Sequence, residues 1–297
     1  MRHLASRRPQ SYKAAMTTFL KMHGLGNDFV IFDARIFPLP LDPITAKAIS
    51  DRKRGIGCDQ VIVMEPAKNG AGAFMRIFNA DGGEVESCGN AARCVAYLLM
   101  AERESDHIAL ETSGGPLFCQ TAENAVTVDM GPPRLDWREI PMAQAVDTEG
   151  FSLPVPGFDE AALQSAVALS MGNPHCVLFV KDAEAAPVAQ LGAAIERHPW
   201  FPSRTNVEFV ERRSDSSLRM RTWERGAGIT LACGTGACAA VVAGSLRGLT
   251  ARKAKVMLDG GELEIEWREA DDHVLMTGPV KFSFAGEVSL PTLMADA

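Results

Sequence analysis

Short apolar runs alternate with polar turn residues along most of the chain, a pattern that predicts a protein built mainly from β-strands. Two turn sequences with paired glycines, at residues 113–115 and 259–261, predict tight hairpins. The strands predicted in the first half are residues 29–33, 60–64, 74–78, 108–111, 117–120 and 126–129. Those predicted in the second half are residues 176–180, 206–210, 218–223, 255–258, 262–267 and 274–277, with a last strand at 280–285.

Two segments, residues 89–101 and 234–246, have the composition of helices but lack a polar face. Ala, Val, Leu and Cys surround each of them, which is typical of helices enclosed by other structure. The segments 44–52, 161–169 and 187–197 predict ordinary outer helices.

An 18-residue stretch occurs twice, as MRIFNADGGEVESCGNAA at residues 75–92 and as MRTWERGAGITLACGTGA at residues 220–237. The copies align without a gap at an offset of 145 residues, and each ends in Cys-Gly-x-x-Ala at the start of an apolar helix. Residues 26–32 align in the same way with residues 172–178, at an offset of 146. The chain is therefore predicted to be a duplicated unit of roughly 120–145 residues.

These patterns predict an α/β (α+β) fold of two pseudo-symmetric domains, each a curved, mainly antiparallel sheet around one central helix. We expect the first domain at residues 17–133 and the second at residues 134–278, with residues 279–297 returning to the first. The first 15 residues carry four basic side chains, no acid and no apolar run. We interpret residues 1–16 as a disordered extension or an upstream start, with a transit peptide as the alternative.

Composition narrows the classes of function. The 297 residues are 46% hydrophobic and carry a net charge of −7, so a basic surface for binding nucleic acid is not expected. No apolar run approaches the length of a membrane span. The seven cysteines show neither CxxC pairs nor a disulfide scaffold, which favours free thiols in the cytoplasm. The six histidines lack metal-ligand spacing, so no metal site is expected.

The repeat places Cys88 and Cys233 alike, each at the predicted N-terminus of an apolar helix. Such a terminus has free N–H groups and a partial positive charge, which we expect to lower the pKa of a thiol and to bind a carboxylate. One thiolate could then remove an α-proton while the opposing thiol returns a proton to the other face. This exchange inverts the carbon centre, so the pattern predicts an amino-acid racemase or epimerase.

From about residue 19 to residue 286 the chain resembles the diaminopimelate epimerases. The motifs that carry the resemblance are MHGLGNDFV (22–30), RGIGCDQ (54–60), FNADGGEVESCGNAARC (78–94), SMGNPHCV (170–177), RTNVEF (204–209), ERGAG (224–228) and ACGTGACA (232–239). Members of this family are cofactor-independent isomerases that interconvert LL- and meso-2,6-diaminopimelate in lysine synthesis. The resemblance implies the same activity here, with no cofactor and no metal.

The resemblance also implies roles for individual residues. Cys88 becomes the proton donor and Cys233 the proton acceptor, and they exchange roles with the direction of the reaction. The helix N-terminal contacts to the reacting carboxylate come from Gly89, Asn90, Gly234 and Thr235. The remaining substrate-binding residues are Asn27, Gln60, Asn79, Asn173, Asn206, Glu224 and Arg225. His175 is expected to hold such residues in place without contacting the substrate itself. We expect a cytoplasmic homodimer that binds a small-molecule substrate and neither nucleic acid nor membrane.

Two alternatives stay open at this point. A proline- or hydroxyproline-type racemase also uses two cysteines, although the asparagine-rich lining favours a substrate with a second charged end. A redox module, in which Cys88 and Cys233 form a switch disulfide, would leave Glu224 and Arg225 without a purpose.

Overall fold

The computed structural model of the chain describes residues 16–86, 88–158 and 161–295. Over these residues a run of strands and helices is followed by a second run in the same order. The first run contains the strands β1 (Thr17–Gly24), β2 (Asn27–Asp33), β3 (Gln60–Glu65), β4 (Ala73–Asn79), β5 (Glu84–Val85), β6 (His107–Thr112), β7 (Gly115–Ala122) and β8 (Ala125–Asp129). The rest of the chain contains β9 (Val167–Ser170), β10 (Pro174–Val180), β11 (Asn206–Ser214), β12 (Ser217–Glu224), β13 (Gly228–Ile229), β14 (Lys253–Leu258), β15 (Gly261–Trp267), β16 (Val274–Gly278) and β17 (Lys281–Val288). The helices are α1 (Pro43–Ser50), α2 (Gly89–Arg103), α3 (Val188–Glu196), α4 (Gly234–Leu246) and α5 (Leu290–Ala295).

Strand pairing joins the two runs into one hydrogen-bonded ladder. From one edge the order is β17, β1, β2, β3, β4, β6, β7, β8, β16, β15, β14, β12, β11, β10, β9. The ladder is symmetric about the central pair of β8 and β16. Going outward from this pair, each strand from β8 to β1 corresponds to a strand from β16 to β9, and corresponding neighbours pair with the same parallel or antiparallel orientation. The pairs β2–β3, β4–β6, β10–β11 and β12–β14 are parallel, and the others are antiparallel. The predicted fold of two pseudo-symmetric, mainly antiparallel halves is confirmed.

The two halves meet where β8 and β16 pair. Thr127 lies opposite Thr277 in this ladder, and their Oγ1 atoms are 2.7 Å apart. At the far edge β17 runs back along β1, with Thr17 opposite Val288. The predicted division at residues 133/134 and 278/279 stays a prediction, and the predicted extension at residues 1–16 lies outside the described residues, apart from Met16.

The helices α2 and α4 are enclosed by strands, as their lack of a polar face predicts. Most side chains of both are buried in a single apolar core that also includes residues of β1, β6–β8 and β14–β16. The core runs through both halves. The N-termini of the two helices lie close together, because the first residue of each, Gly89 and Gly234, is next to Met276 of β16. The shorter helix α1 lies outside it, with Asp42 accepting from the N–H of Thr45 at 2.7 Å as its N-cap.

The predicted helix at residues 161–169 is wrong. Residues Ala161–Ser165 form one 3₁₀ turn, and Val167–Ser170 form β9, which pairs with β10. All four β9 residues are buried, so their apolar run has no alternation to distinguish a doubly covered strand from a helix.

Candidate active site

Cys88 and Cys233 both occupy the N-cap position of a buried helix. Cys88 precedes α2 with φ −150° and ψ 109°, and Cys233 precedes α4 with φ −110° and ψ 107°. An N-cap side chain in this extended conformation faces the free N–H groups of the first helical turn. The Cys233 Sγ accepts from the Gly236 N–H at 3.4 Å, whereas the Cys88 side chain makes no capping hydrogen bond.

The first residue of each helix packs against the same side chain, Met276 of β16. A Cβ atom added to Gly89 would lie 2.5 Å from the Met276 Cε, and one added to Gly234 would lie 2.8 Å from its Sδ. Glycine at both positions therefore lets the two helix N-termini approach the same thioether. This close packing brings the duplicated Cys-Gly sequences together.

Asn90 links the two helices directly. Its Nδ2 donates to the Ala232 carbonyl at 3.4 Å, immediately before Cys233, and to the Asn27 Oδ1 at 3.2 Å. The same Asn27 oxygen lies 4.0 Å from the Cys88 Sγ. Asp59 holds the Asn27 amide in this orientation by accepting from its Nδ2 at 3.1 Å.

Gln60 and Asn79 face each other across β3 and β4. The Gln60 Nε2 donates to the Asn79 Oδ1 at 2.9 Å. The Gln60 Oε1 is buried and has no hydrogen-bond partner among the residues that the structure describes. A buried acceptor of this kind suits a donor such as an ammonium group.

A chain of hydrogen bonds leads from the interior to the Cys233 thiol. Glu208 Oε1 lies 2.8 Å from His175 Nδ1, and His175 Nε2 lies 3.0 Å from Asn173 Oδ1. Asn173 Nδ2 donates to the Thr235 Oγ1 at 3.3 Å, and this hydroxyl lies 3.6 Å from the Cys233 Sγ. Because the Thr235 oxygen already accepts from the amide, its own hydrogen is free to point at the sulfur.

The loop after β12 carries the remaining predicted residues. The Glu224 carboxylate accepts from the Thr230 hydroxyl, and burial raises its pKa. The Asn206 side chain accepts from the Arg225 backbone N–H at 2.9 Å and donates to the Pro174 carbonyl at 3.0 Å. The Arg225 guanidinium is exposed and donates to the Ser203 carbonyl at 3.2 Å.

The expectation that the helix N-termini lower both thiol pKa values is wrong. Burial raises the pKa of Cys88 to about 11, and the charge of Glu224 adds to this, although the N–H groups of Asn90 and Ala91 oppose it. Burial also raises the pKa of Cys233 well above its usual range, with further contributions from Glu224 and Glu208. Enclosure of the thiols therefore outweighs the helix termini, and both thiols stay protonated near neutral pH.

Several residues that the sequence analysis missed belong to this constellation. Asp59 orients Asn27, Glu208 bonds His175, and Thr230 bonds Glu224. Asp59 and Glu208 belong to the motifs RGIGCDQ and RTNVEF. Their position in the sequence next to predicted site residues could have identified them as candidates.

Known proteins resemble this chain over most of its length. A family model described as diaminopimelate epimerase matches residues 19–135 and 167–283. The chain is 54% identical over 273 residues to a protein named diaminopimelate epimerase from Rhodospirillum centenum, covering 91% of this chain and 92% of that one. It is 53% identical over 270 residues to a protein of the same name from Erythrobacter litoralis, covering 91% and 96%.

Solved structures of lower identity share the fold. A PhzF-family phenazine biosynthesis protein from Bacillus anthracis aligns with a TM-score of 0.65 at 15% identity, covering 92% of this chain and 99% of that chain. A hydroxyproline epimerase from Agrobacterium vitis aligns with a TM-score of 0.65 at 18% identity, covering 92% of each. At such identity the likeness concerns the fold alone.

Proposed function

Since the chain belongs to the diaminopimelate epimerase family, we propose that it interconverts LL- and meso-2,6-diaminopimelate by proton transfer between Cys88 and Cys233. The chain is an isomerase, and the activity is a step of lysine biosynthesis. The mechanism, the cofactor independence and the homodimer are parts of the proposal. The observation that carries the mechanism is the pair of cysteine N-caps brought together on Met276.

The free N–H groups at the two helix N-termini bind the reacting carboxylate, with Asn90 and Thr235 at the second helical positions. One thiolate removes the α-proton, and the opposing thiol donates its proton to the other face. As the α-carbon becomes planar, negative charge moves onto the carboxylate, where the same N–H groups stabilise it. The product leaves with inverted configuration. The first sulfur now holds the former α-proton, and the second sulfur, which has given its proton to the product, is the thiolate.

Substrate binding helps to form the thiolate. Glu224 raises the pKa of both thiols through its negative charge. An ammonium group of the substrate beside Glu224 offsets that charge and lowers the cost of ionising either sulfur. The open acceptor of Gln60 and the exposed guanidinium of Arg225 supply further contacts for a long diamino diacid.

Replacement of each thiol tests the mechanism. Cys88→Ser and Cys233→Ser should each lower kcat for epimerisation by more than about a hundredfold, because a serine hydroxyl is a poor base and a poor acid here. KM should change little, since the N–H groups that hold the carboxylate remain. Each single variant should still eliminate a β-leaving group from a substrate analogue, because elimination needs only one base.

Matched controls come from the same helices. Cys94 and Cys238 are buried in α2 and α4 a few residues beyond the catalytic thiols. Cys94→Ala and Cys238→Ala should keep kcat within about threefold where the protein remains folded, because a buried cysteine within a helix acts only as a small apolar side chain. These variants are matched controls because each also removes one cysteine sulfur. Near-native epimerisation by either serine variant would exclude the two-thiol mechanism, and turnover of proline instead of diaminopimelate would favour the racemase alternative.

The proposal includes a homodimer formed along β17. This strand is at the edge of the ladder, no other described strand pairs with its outer side, and Phe282 and Phe284 are 56% and 48% exposed. A sheet edge with two exposed aromatic rings is a suitable surface for a second copy. Sedimentation should give a dimer, and Phe282→Glu should shift it toward the monomer.

We also place the enzyme in the cytoplasm and propose that it needs no cofactor. All seven cysteines are unpaired, which supports a reducing compartment. In the described part of the chain no helix is long and apolar enough to cross a membrane. Full activity after dialysis against a chelator, with a strong thiol reductant present, is the expected result; loss of activity under reductant would instead favour the disulfide switch.

A further inference from the structure

Arg93 is a fully buried cation without a countercharge. Its exposed fraction is 0%, and it lies in the second turn of α2, five residues after Cys88. No described carboxylate forms an ion pair with it, and its Nε and Nη2 have no hydrogen-bond partner among the described residues. Its Nη1 contacts the Met276 Sδ at 3.5 Å. A buried charge left unpaired destabilises the fold, so its position calls for an explanation.

The backbone around Arg93 is shaped to admit the guanidinium. A Cβ on Gly24 would lie 2.9 Å from the Arg93 Nη2, and one on Gly278 would lie 3.2 Å from its Cζ and Nε. The glycines at the ends of β1 and β16 therefore leave space for the Arg93 guanidinium, which the side chain of any other residue would occupy. The guanidinium is held between two strands at the seam of the two halves.

The guanidinium lies behind the helix N-termini. Helical side chains point back toward the N-terminus, and five residues of helix rise by about 7.5 Å. Met276, which Nη1 contacts, also packs against Gly89 and Gly234. The charge is thus close to the first turn of α2, where the Cys88 sulfur lies.

We propose that Arg93 is a positioning residue that stabilises the thiolate of Cys88 through its unpaired positive charge. This inference rests on the proposed function, in which Cys88 exchanges a proton with the substrate. Other groups facing Cys88 are the N–H groups of Asn90 and Ala91, which also favour its thiolate, and Glu224, which opposes it. The titratable groups facing Arg93 itself are the thiols of Cys88, Cys94 and Cys238.

The charges around the two catalytic sulfurs are unequal. Arg93 favours ionisation of Cys88 in the first half, whereas Glu208 acts against ionisation of Cys233 in the second half. A thiolate formed in this site therefore resides more often on Cys88. Cys233, which holds its proton more tightly, is then poised to act as the acid.

The test is the pH dependence of Cys88 alkylation by iodoacetamide, followed by mass spectrometry of the Cys88 peptide. A charge about 8–10 Å away at an effective dielectric constant of about 20 shifts a pKa by about 1–1.5 units. Arg93→Met should therefore slow alkylation about 10- to 30-fold at a fixed pH between 8 and 10, with the profile displaced upward. Arg93→Lys keeps the charge and should restore most of the rate.

Arg219→Met is the matched control, because Arg219 is also buried but pairs with Glu184 and Asp259 in the other half. It should leave the Cys88 profile unchanged. An unshifted profile in folded Arg93→Met, or an equal shift in Arg93→Lys, would overturn the inference. If Arg93→Met and Arg93→Gln both fail to fold, the guanidinium is a packing element and the inference is also overturned. Alkylation needs no turnover, so this result is independent of whether Cys88→Ser abolishes epimerisation.

Discussion

The two helix N-termini both pack on Met276, so we expect Gly89→Ala and Gly234→Ala each to lower the free energy of unfolding by a predictable amount. The new Cβ would lie 2.5 Å from the Met276 Cε in the first variant and 2.8 Å from its Sδ in the second. Ordinary contacts are about 3.5–4.0 Å, so Met276 must move by about 1 Å in either case. Such overpacking costs about 1–3 kcal/mol. The effect at Gly89 should be the larger, because its new Cβ lies closer to Met276, at 2.5 Å against 2.8 Å; each new Cβ also meets one further side chain, Met130 at 3.2 Å or Asn90 at 3.3 Å.

A double-mutant cycle separates this cause from other effects of alanine. Met276→Ala alone leaves a cavity and should cost about 2–5 kcal/mol. Combined with either glycine variant it should cost about 1–2 kcal/mol less than the sum, since the truncated side chain makes room for the new methyl group. Urea unfolding monitored by intrinsic fluorescence measures each free energy. Measurement of kcat on the same proteins should show a fall in each glycine variant, because the helix N–H groups that hold the carboxylate are displaced.

Gly83→Ala serves as the control. Its new Cβ would meet only the flexible Asp81 carboxylate, at 3.2 Å, so the change should stay within about 0.5 kcal/mol and show no coupling to Met276. Additive free energies for Gly89 and Gly234, within about 0.5 kcal/mol, would refute the idea that the two helices share one packing partner.

Three further outcomes are expected. Arg225→Lys should reduce the preference for diaminopimelate over lysine by about 1.5–3 kcal/mol in kcat/KM, because a guanidinium can bind the distal carboxylate with two bonds; an equal loss on both substrates would make Arg225 a loop brace. Thr127→Val and Thr277→Val should show a coupling of about 0.5–1.5 kcal/mol in unfolding free energy, reflecting the bond across the seam, and zero coupling would contradict it. Since the pKa of folded Cys88 is raised to about 11, its contribution to stability is complete below the unfolded value of about 8.5 and is lost as pH rises through the folded value. As pH rises from about 8.5 to about 11, the unfolding free energy measured by urea titration should therefore fall less in Cys88→Ala than in the native protein. An identical fall in both proteins would contradict the raised pKa.

Much of the fold could be predicted because the repeat and the apolar patterns agree with each other. The bounds of α4 match the predicted residues 234–246, since Cys233 and the small residues after it mark a helix start. Strand β1 was missed because Lys21 and His23 interrupt its apolar pattern. Lys21 is nevertheless buried, and an ion pair with Asp28 at 2.6 Å compensates its charge. That partner is supplied by the neighbouring strand, which the local sequence does not show.

The sequence indicates which residues form the candidate site, but it does not indicate how the fold shifts the pKa values of the two thiols. The helix starts at Cys88 and Cys233 follow from local sequence, and a local argument gives lower thiol pKa values. The opposite shift arises from enclosure by both halves and from Glu224, which are consequences of tertiary structure. Glu208 was missed for a similar reason, because a charged residue in an alternating strand ordinarily faces solvent, whereas here it is buried against His175.

The pairing of β17 with β1 has a consequence for synthesis of the protein. Of the described strands, β1 is synthesised first and β17 last, so Thr17 cannot pair with Val288 until the ribosome has added that residue. The strands from β9 to β16 are all complete by then, so the later half of the chain can fold while the earlier half still has an open edge at β1. An open edge is a template for wrong pairing between nascent chains. Premature termination just after Gly278 would therefore yield an aggregation-prone product, although it removes none of the residues that surround the two thiols.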